Sequence, residues 1–212
     1  MSYLSDLYLS VPTVSYCEKI TGGLIERPYY AVGNAVFVIA GIIILLSGKG
    51  DKLARAFGWI AILVGLLSFV YDATYSHLFQ VFDFAGMFIF ATMLFFLNFK
   101  RINLQISQIY RWLIIIIGLA AFLILGGQSA HVIFAALVLA VIISEFFAKQ
   151  KESRGTWYLA IALFLIGTIF WYLDLNKIVC DPSNIFNGRN IYHLLDAAVI
   201  YYLYKYYSKI TI

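Results

Sequence analysis

Charge is what this sequence has least of. Asp, Glu, Lys and Arg together make up 12% of its 212 residues, where a soluble domain carries about 25%. Proline is scarce at three residues, and the reactive side chains include only two cysteines and three histidines. The shortage of charge excludes a water-covered globule. Apolar types reach 63% against about 45–50% in soluble proteins, and one small core cannot hide that much. Also missing are the period-two alternation of a membrane barrel strand, any internal repeat and any low-complexity tract. Residues 1–16 lack a basic start and an apolar centre, with Asp6 and Pro12 in the way. No cleavable leader is therefore expected, and the first spanning helix is expected to serve as the targeting signal. The net charge of +4 does not mark a nucleic-acid binder, because the basic residues sit in short clusters between apolar runs, where they report orientation.

What is present is a series of seven continuous apolar runs, at about 29–46, 56–75, 81–99, 112–125, 130–147, 157–172 and 191–207. A bilayer core of about 30 Å needs about 20 residues per helix, so seven spans use roughly 140 residues and leave only short loops. The expected fold class is all-α: a polytopic membrane protein, one seven-helix domain over 1–212 with a leading segment at 1–28. Tyr29, Tyr30, Trp112, Trp157, Trp171, Tyr172 and the tyrosines from Tyr201 to Tyr207 crowd the run ends, as an aromatic belt does. The loops after runs one, three and five, with the C-terminal end, hold Lys49, Lys52, Arg55, Lys100, Arg101, Arg111, Lys149, Lys151, Arg154, Lys205 and Lys209. The other side holds Lys19, Arg27, Lys177 and Arg189. Eleven against four accounts for all 15 basic residues and predicts the first side to be cytoplasmic, with the N-terminus out and the C-terminus in. Six spans with run four re-entrant would break this alternation.

Ionisable groups at membrane depth are costly, and each is a functional candidate. Asp72, His77, Asp83, His131, Asp174, Arg189, His193 and Asp196 all fall in the outer third. The inner half is expected to be nearly free of buried charge, with Glu145 reaching water. Ser68 and Asp72 are four apart and share a helix face; Arg189, His193 and Asp196 form one stripe if their helix starts early enough. Facing rows of this kind build metal or catalytic sites in bundles. They equally suit a buried ion pair between Asp72 and Arg189 that Asp196 shares, with Asp174 capping or orienting the Arg189 loop and His77 and His131 wet or hydrogen-bonded interfacial histidines. Cys17 and Cys180 fall on the same side. A disulfide there is favoured over two unrelated thiols by the oxidising compartment.

Several segments carry a resemblance. Gly65-Leu-Leu-Ser68-Phe-Val-Tyr-Asp72-Ala-Thr74, then Gln80-Val-Phe-Asp83, resembles the Gly-x-x-Ser-x-x-x-His-x-Thr and Gln-x-x-Asp of the alkaline ceramidases, part of the CREST membrane hydrolase superfamily. Tyr16-Cys17-Glu18 resembles that family's Trp-Cys-Glu, and Trp171-Tyr-Leu-Asp174 with Cys180 resembles its Trp-x-x-Asp and downstream Cys. Gly188-Arg-Asn-Ile-Tyr-His193-Leu-Leu-Asp-Ala is similar to its Gly-His-Ala-x-Trp-His-Leu-Leu-x-Ala, and Asn34 matches a helix-one Asn.

The resemblance implies a zinc-dependent amidase within the membrane, with one histidine ligand on helix two and two on helix seven. Ser68, Asp83 and His193 retain family positions, but Asp72 and Arg189 stand where two ligands would be. Asp can bind zinc, whereas Arg has no lone pair to offer. Three arrangements follow. A rebuilt metal site would use Asp72, His193 and Asp196, with Asp83 taking a proton from a metal-activated water. Alternatively, Arg189 neutralises Asp72 in place of the metal, leaving a lipid-binding or accessory protein. A metal-free pair of His193 as base and Ser68 as nucleophile is the third. The expectation is a metal-dependent hydrolase of a lipid amide, ceramide or a related lipid, working near the outer face. The non-catalytic lipid binder is the alternative. Calcium is not expected, since Ser15 and Lys19 flank Glu18 and Glu26 is offset from a family position. Lys205, the only lysine within run seven, lies at the cytoplasmic end, a poor place for a retinal Schiff base. The short loops favour a bacterial inner membrane over a eukaryotic internal one; the oligomeric state is left open.

Overall fold

The computed structural model describes the backbone of residues 10–102, 107–125, 127–148 and 154–210. Among them, eight helices cover the seven apolar runs: α1 (Pro28–Gly33), α2 (Ala35–Ser47), α3 (Lys52–Thr74), α4 (His77–Arg101), α5 (Gln108–Leu125), α6 (Gly127–Phe147), α7 (Gly155–Leu175) and α8 (Gly188–Lys209). The described residues contain no strand. Asp6, Gly126, Lys149, Lys151 and the side chains of Arg111 and Trp112 lie outside what is described.

By length and composition four stretches are able to cross a membrane: Pro28–Ser47, Lys52–Thr74, His77–Arg101 and Gly155–Leu175; His131–Phe147 is a shorter apolar helix. The protein is a multi-pass membrane protein. Ile39, Ile43, Leu46, Leu66, Leu165 and Ile169 point outward while Asn34, Asp72, Asn98 and Glu145 are buried, an inside-out distribution that suits lipid as the solvent. Helix α8 is not among the four spans, because His193, Asp196, Lys205 and its tyrosines dilute its apolar character.

Several helices begin before their apolar runs do, at Lys52, His77 and Gln108 rather than 56, 81 and 112. Polar caps explain two of these early starts. The Asp51 side chain accepts from the Leu53 and Ala54 N–H groups, and Ser76 accepts from Phe79, satisfying first-turn donors. Likewise Asn187 accepts from the Asn190 N–H, so α8 starts early enough to include Arg189. Between α3 and α4 only Tyr75 and Ser76 intervene; Tyr75 turns the chain in the left-handed region, φ 45°. The first run is two helices because the chain breaks at Asn34, whose amide donates to the Tyr30 carbonyl at 3.0 Å and to Asp72 Oδ2 at 2.8 Å.

Helix α8 packs on α7, α1, α2 and α3; α3 also packs on α1, α2 and α4, and α4 on α5 and α6. The α2–α3 crossing is tight: a Cβ on Gly41 would lie 2.6 Å from the Gly58 carbonyl oxygen. Small residues permit this approach in membrane bundles.

The end of the bundle remote from the N-terminal segment corrects one expectation. Glu145 does not reach water; it is fully buried. Arg101 donates to its two oxygens at 2.5 and 3.1 Å, and Tyr206 donates to Oε1 at 2.5 Å. Asn98 accepts from the Tyr207 hydroxyl at 2.7 Å and donates to Ser144 at 3.0 Å. Arg154 adds a bond to the Glu145 carbonyl at 3.0 Å. That end of the bundle therefore holds a buried charge pair that ties α4, α6 and α8 together, where the sequence reading expected almost no buried charge. Arg101, placed among loop cations in the sequence, is the last residue of α4 and turns inward.

Candidate functional site

The opposite end is built around Asp72. It sits on α3 one turn below Ser68, and both are buried because that face of α3 meets α1, α4 and α8. Asp72 is fully enclosed, and Arg27 Nη2 donates to its Oδ1 at 2.6 Å. Arg189 Nη1 lies 3.0 Å from the same oxygen. Asn34 holds Oδ2. One carboxylate thus faces two guanidinium groups and an amide.

Arg27 was not singled out by the sequence reasoning, which took it for an outer-loop charge. It is fully buried, immediately before Pro28. Its guanidinium carbon lies 4.4 Å from the Tyr75 ring centroid, 4.8 Å from Tyr71, 5.4 Å from Tyr30 and 5.7 Å from Tyr16. Arg189 stands 4.2 Å from Tyr16. Tyrosine faces attract a desolvated cation and help to offset the burial of two arginines. The signal available in the sequence was a cation at the very foot of the first apolar run, on the side where the tyrosines cluster.

The other predicted residues distribute around this centre. Ser68 Oγ donates to Asp83 Oδ1, joining α3 to α4. Arg189 Nε lies 3.4 Å from His193 Nε2, and the His193 ring is 5.4 Å from Phe37; His193 Nδ1 is buried with no partner among the described residues. Asp196 does not join the arginines. It pairs with Tyr192 one turn back on α8, and its Oδ1 is without a hydrogen-bond partner. Asp174 accepts from the Tyr30 hydroxyl at 2.6 Å, the Cys17 N–H at 3.2 Å and the Arg189 N–H at 3.1 Å. It thereby fixes the start of α8 and the N-terminal segment together. His77 opens α4, where its N–H donates to the Ser10 carbonyl at 3.1 Å; among the described residues no contact joins its ring to the cluster.

The N-terminal segment lies over this end. A disulfide joins Cys17 to Cys180 in the α7–α8 loop, with Cα atoms 5.5 Å apart. Thr13 donates to Gln80 through its N–H and its hydroxyl, at 3.0 and 3.1 Å. Glu18 accepts from the Tyr29 and Tyr30 N–H groups, both at 2.8 Å, and so caps α1 from a distance. Burial pushes the Glu18 carboxyl up from its ordinary value, while those two N–H groups pull it down.

The implied zinc does not fit these side chains. Of the three family ligand positions only His193 offers a nitrogen lone pair, and Arg189 points its Nε at it. Asp72 has both oxygens engaged by cations and an amide. A divalent ion there would face two guanidinium charges at the distances already occupied. Among the described residues no group of three or more His, Cys, Asp or Glu side chains converges as a metal site.

The sequence model of the family described as Ceramidase matches residues 12–211, nearly the whole chain. No curated protein matches it.

Proposed function

The chain belongs to the ceramidase family, and from that premise we propose that it binds a membrane lipid amide, ceramide or a close relative, at a site where an ion cluster stands in place of a metal. The observation that carries this is the saturation of Asp72 by Arg27, Arg189 and Asn34. A buried cation–carboxylate group satisfies the electrostatic need that a metal and its ligands would otherwise create. The family supplies the lipid-amide class; the ion cluster favours binding without turnover. The excess of Lys and Arg at the other end of the bundle supports a site that faces the outer leaflet. The disulfide near the site fits the same side, and the short loops suit a bacterial inner membrane.

A second reading, hydrolysis of that amide, is favoured by the Ser68–Asp83 hydrogen bond and by His193, which lies against Arg189 of the same cluster. These are parts a hydrolase would use to position and deprotonate a nucleophile. One experiment separates the two. Detergent-purified protein is incubated with ceramide, bound lipid is read by native mass spectrometry, and free fatty acid is read by chromatography. Bound ceramide without fatty acid is the expected result. Fatty acid release abolished by a chelator would overturn the metal-free account, and release insensitive to chelator would establish the second reading.

A further inference from the structure

Asp196 is a carboxylate in the middle of α8 for which the ion cluster has no use. It is half-exposed, yet Oδ1 itself is buried without a protein partner, and no cation pairs with it among the described residues. Such a group at membrane depth is expensive and calls for a function.

Its surroundings say which way it looks. Tyr192, Asp196, Val199, Leu203 and Tyr206 are spaced four, three, four and three apart and so share one helix face. At its far end Tyr206 meets Arg101 of α4 and Glu145 of α6. The face is therefore turned to the bundle interior, while Leu194 is turned outward at 58% exposure. Among the described residues α8 packs its backbone on neither α4 nor α6; long side chains span that separation at the Tyr206 end. Beside Asp196, α7 presents Gly167, where an added Cβ would lie 3.6 Å from Asp196 Oδ1 and 3.3 Å from the Tyr192 ring. The glycine leaves the carboxylate free of a covering side chain. One turn nearer the cluster, His193 Nδ1 is a second buried polar atom without a partner.

We propose that Asp196, held by Tyr192 beside Gly167, is a specificity-determining residue that accepts a hydrogen bond from a hydroxyl or amide N–H of the bound lipid headgroup. This rests on the lipid-amide reading above. The buried, unpartnered Oδ1 is an acceptor site, so it selects headgroups that carry donors and disfavours ester lipids that offer none.

The test uses the full chain in nanodiscs, with ceramide, ceramide methylated at both hydroxyls and N-methyl ceramide as probes. Asp196→Leu is close in shape and removes both acceptor oxygens, and Tyr192→Phe removes only the phenol that holds the side chain. Asp196→Leu is expected to weaken ceramide binding roughly tenfold, and Tyr192→Phe less in the same direction. One methylated probe should bind the wild type as weakly as ceramide binds Asp196→Leu, with no further loss when the two changes are combined; which probe does so identifies the donor. Ceramide binding equal in wild type and Asp196→Leu, or losses that simply add for both probes, would overturn the inference alone. Failure of the wild type to bind any of the three lipids would overturn the lipid-amide reading and this inference with it.

Discussion

Replacing Asp72 by alanine should destabilise the bundle more than removing either arginine that binds it. The carboxylate is fully buried and meets Arg27 at 2.6 Å and Arg189 at 3.0 Å, with Arg189 itself 3% exposed. Breaking a buried ion pair by deleting one partner costs about 3–5 kcal/mol, chiefly because the other charge is left uncompensated. Asp72→Ala strands two guanidiniums, so its loss belongs at the upper end, about 5 kcal/mol. Arg189→Ala leaves Asp72 still bound to Arg27 and Asn34, which places it at or below about 3 kcal/mol. Arg27→Ala falls between, since it also removes the guanidinium's contacts to four tyrosine rings, which Asp72→Ala leaves in place. The triple change Asp72→Leu, Arg27→Met, Arg189→Met removes the whole cluster and is expected to be milder than Asp72→Ala, because no lone charge remains. Unfolding of the purified variants, followed by loss of helical circular dichroism in detergent mixtures of rising strength, gives the order. Arg189→Ala as damaging as Asp72→Ala would refute the shared-carboxylate geometry.

Three other perturbations probe separate parts of the molecule. Reducing the Cys17–Cys180 bond should cost roughly 2–5 kcal/mol; a thermal transition unmoved by reductant would count against it. Glu145→Ala leaves Arg101 buried without its carboxylate and should cost about 3–5 kcal/mol, whereas Asn98→Ala, which removes hydrogen bonds but leaves the Arg101–Glu145 pair intact, should cost less; equal losses would argue that the pair is hydrated. Glu18 has a native value raised by burial, so the stability it contributes is present below the ordinary glutamate range and declines as pH climbs through the raised value. Wild type should therefore gain stability relative to Glu18→Gln on acidification from neutral pH, and a constant difference between the two would contradict the assignment.

Much of the architecture is legible in the sequence because hydropathy reports what lipid requires, run by run. Where the account fell short, the missing information was tertiary. Arg27 and Arg101 stand beside apolar runs, so a linear reading gives them to the loops. Only the fold shows that each turns inward to a carboxylate more than forty residues away, Asp72 and Glu145 respectively. Spacing brought Arg189 and His193 onto one face of α8, and Arg189 does reach Asp72. Spacing alone did not tell that Asp196 would pair with Tyr192 instead of joining them. Asp51 and Ser76 extended helices beyond their apolar runs for a local reason, capping, that hydropathy does not count.

The central claim is that an Asp72–arginine cluster stands where the family resemblance implies a metal, and elemental mass spectrometry of protein purified without chelator tests it most directly. The double variant Asp72→His/Arg189→His, which restores two histidines beside His193, serves as the comparison. The account predicts no stoichiometric zinc or manganese in the wild type and a gain of zinc in the double variant. Stoichiometric metal in the wild type, lost in Asp72→Ala, would contradict it and make Asp72 a ligand.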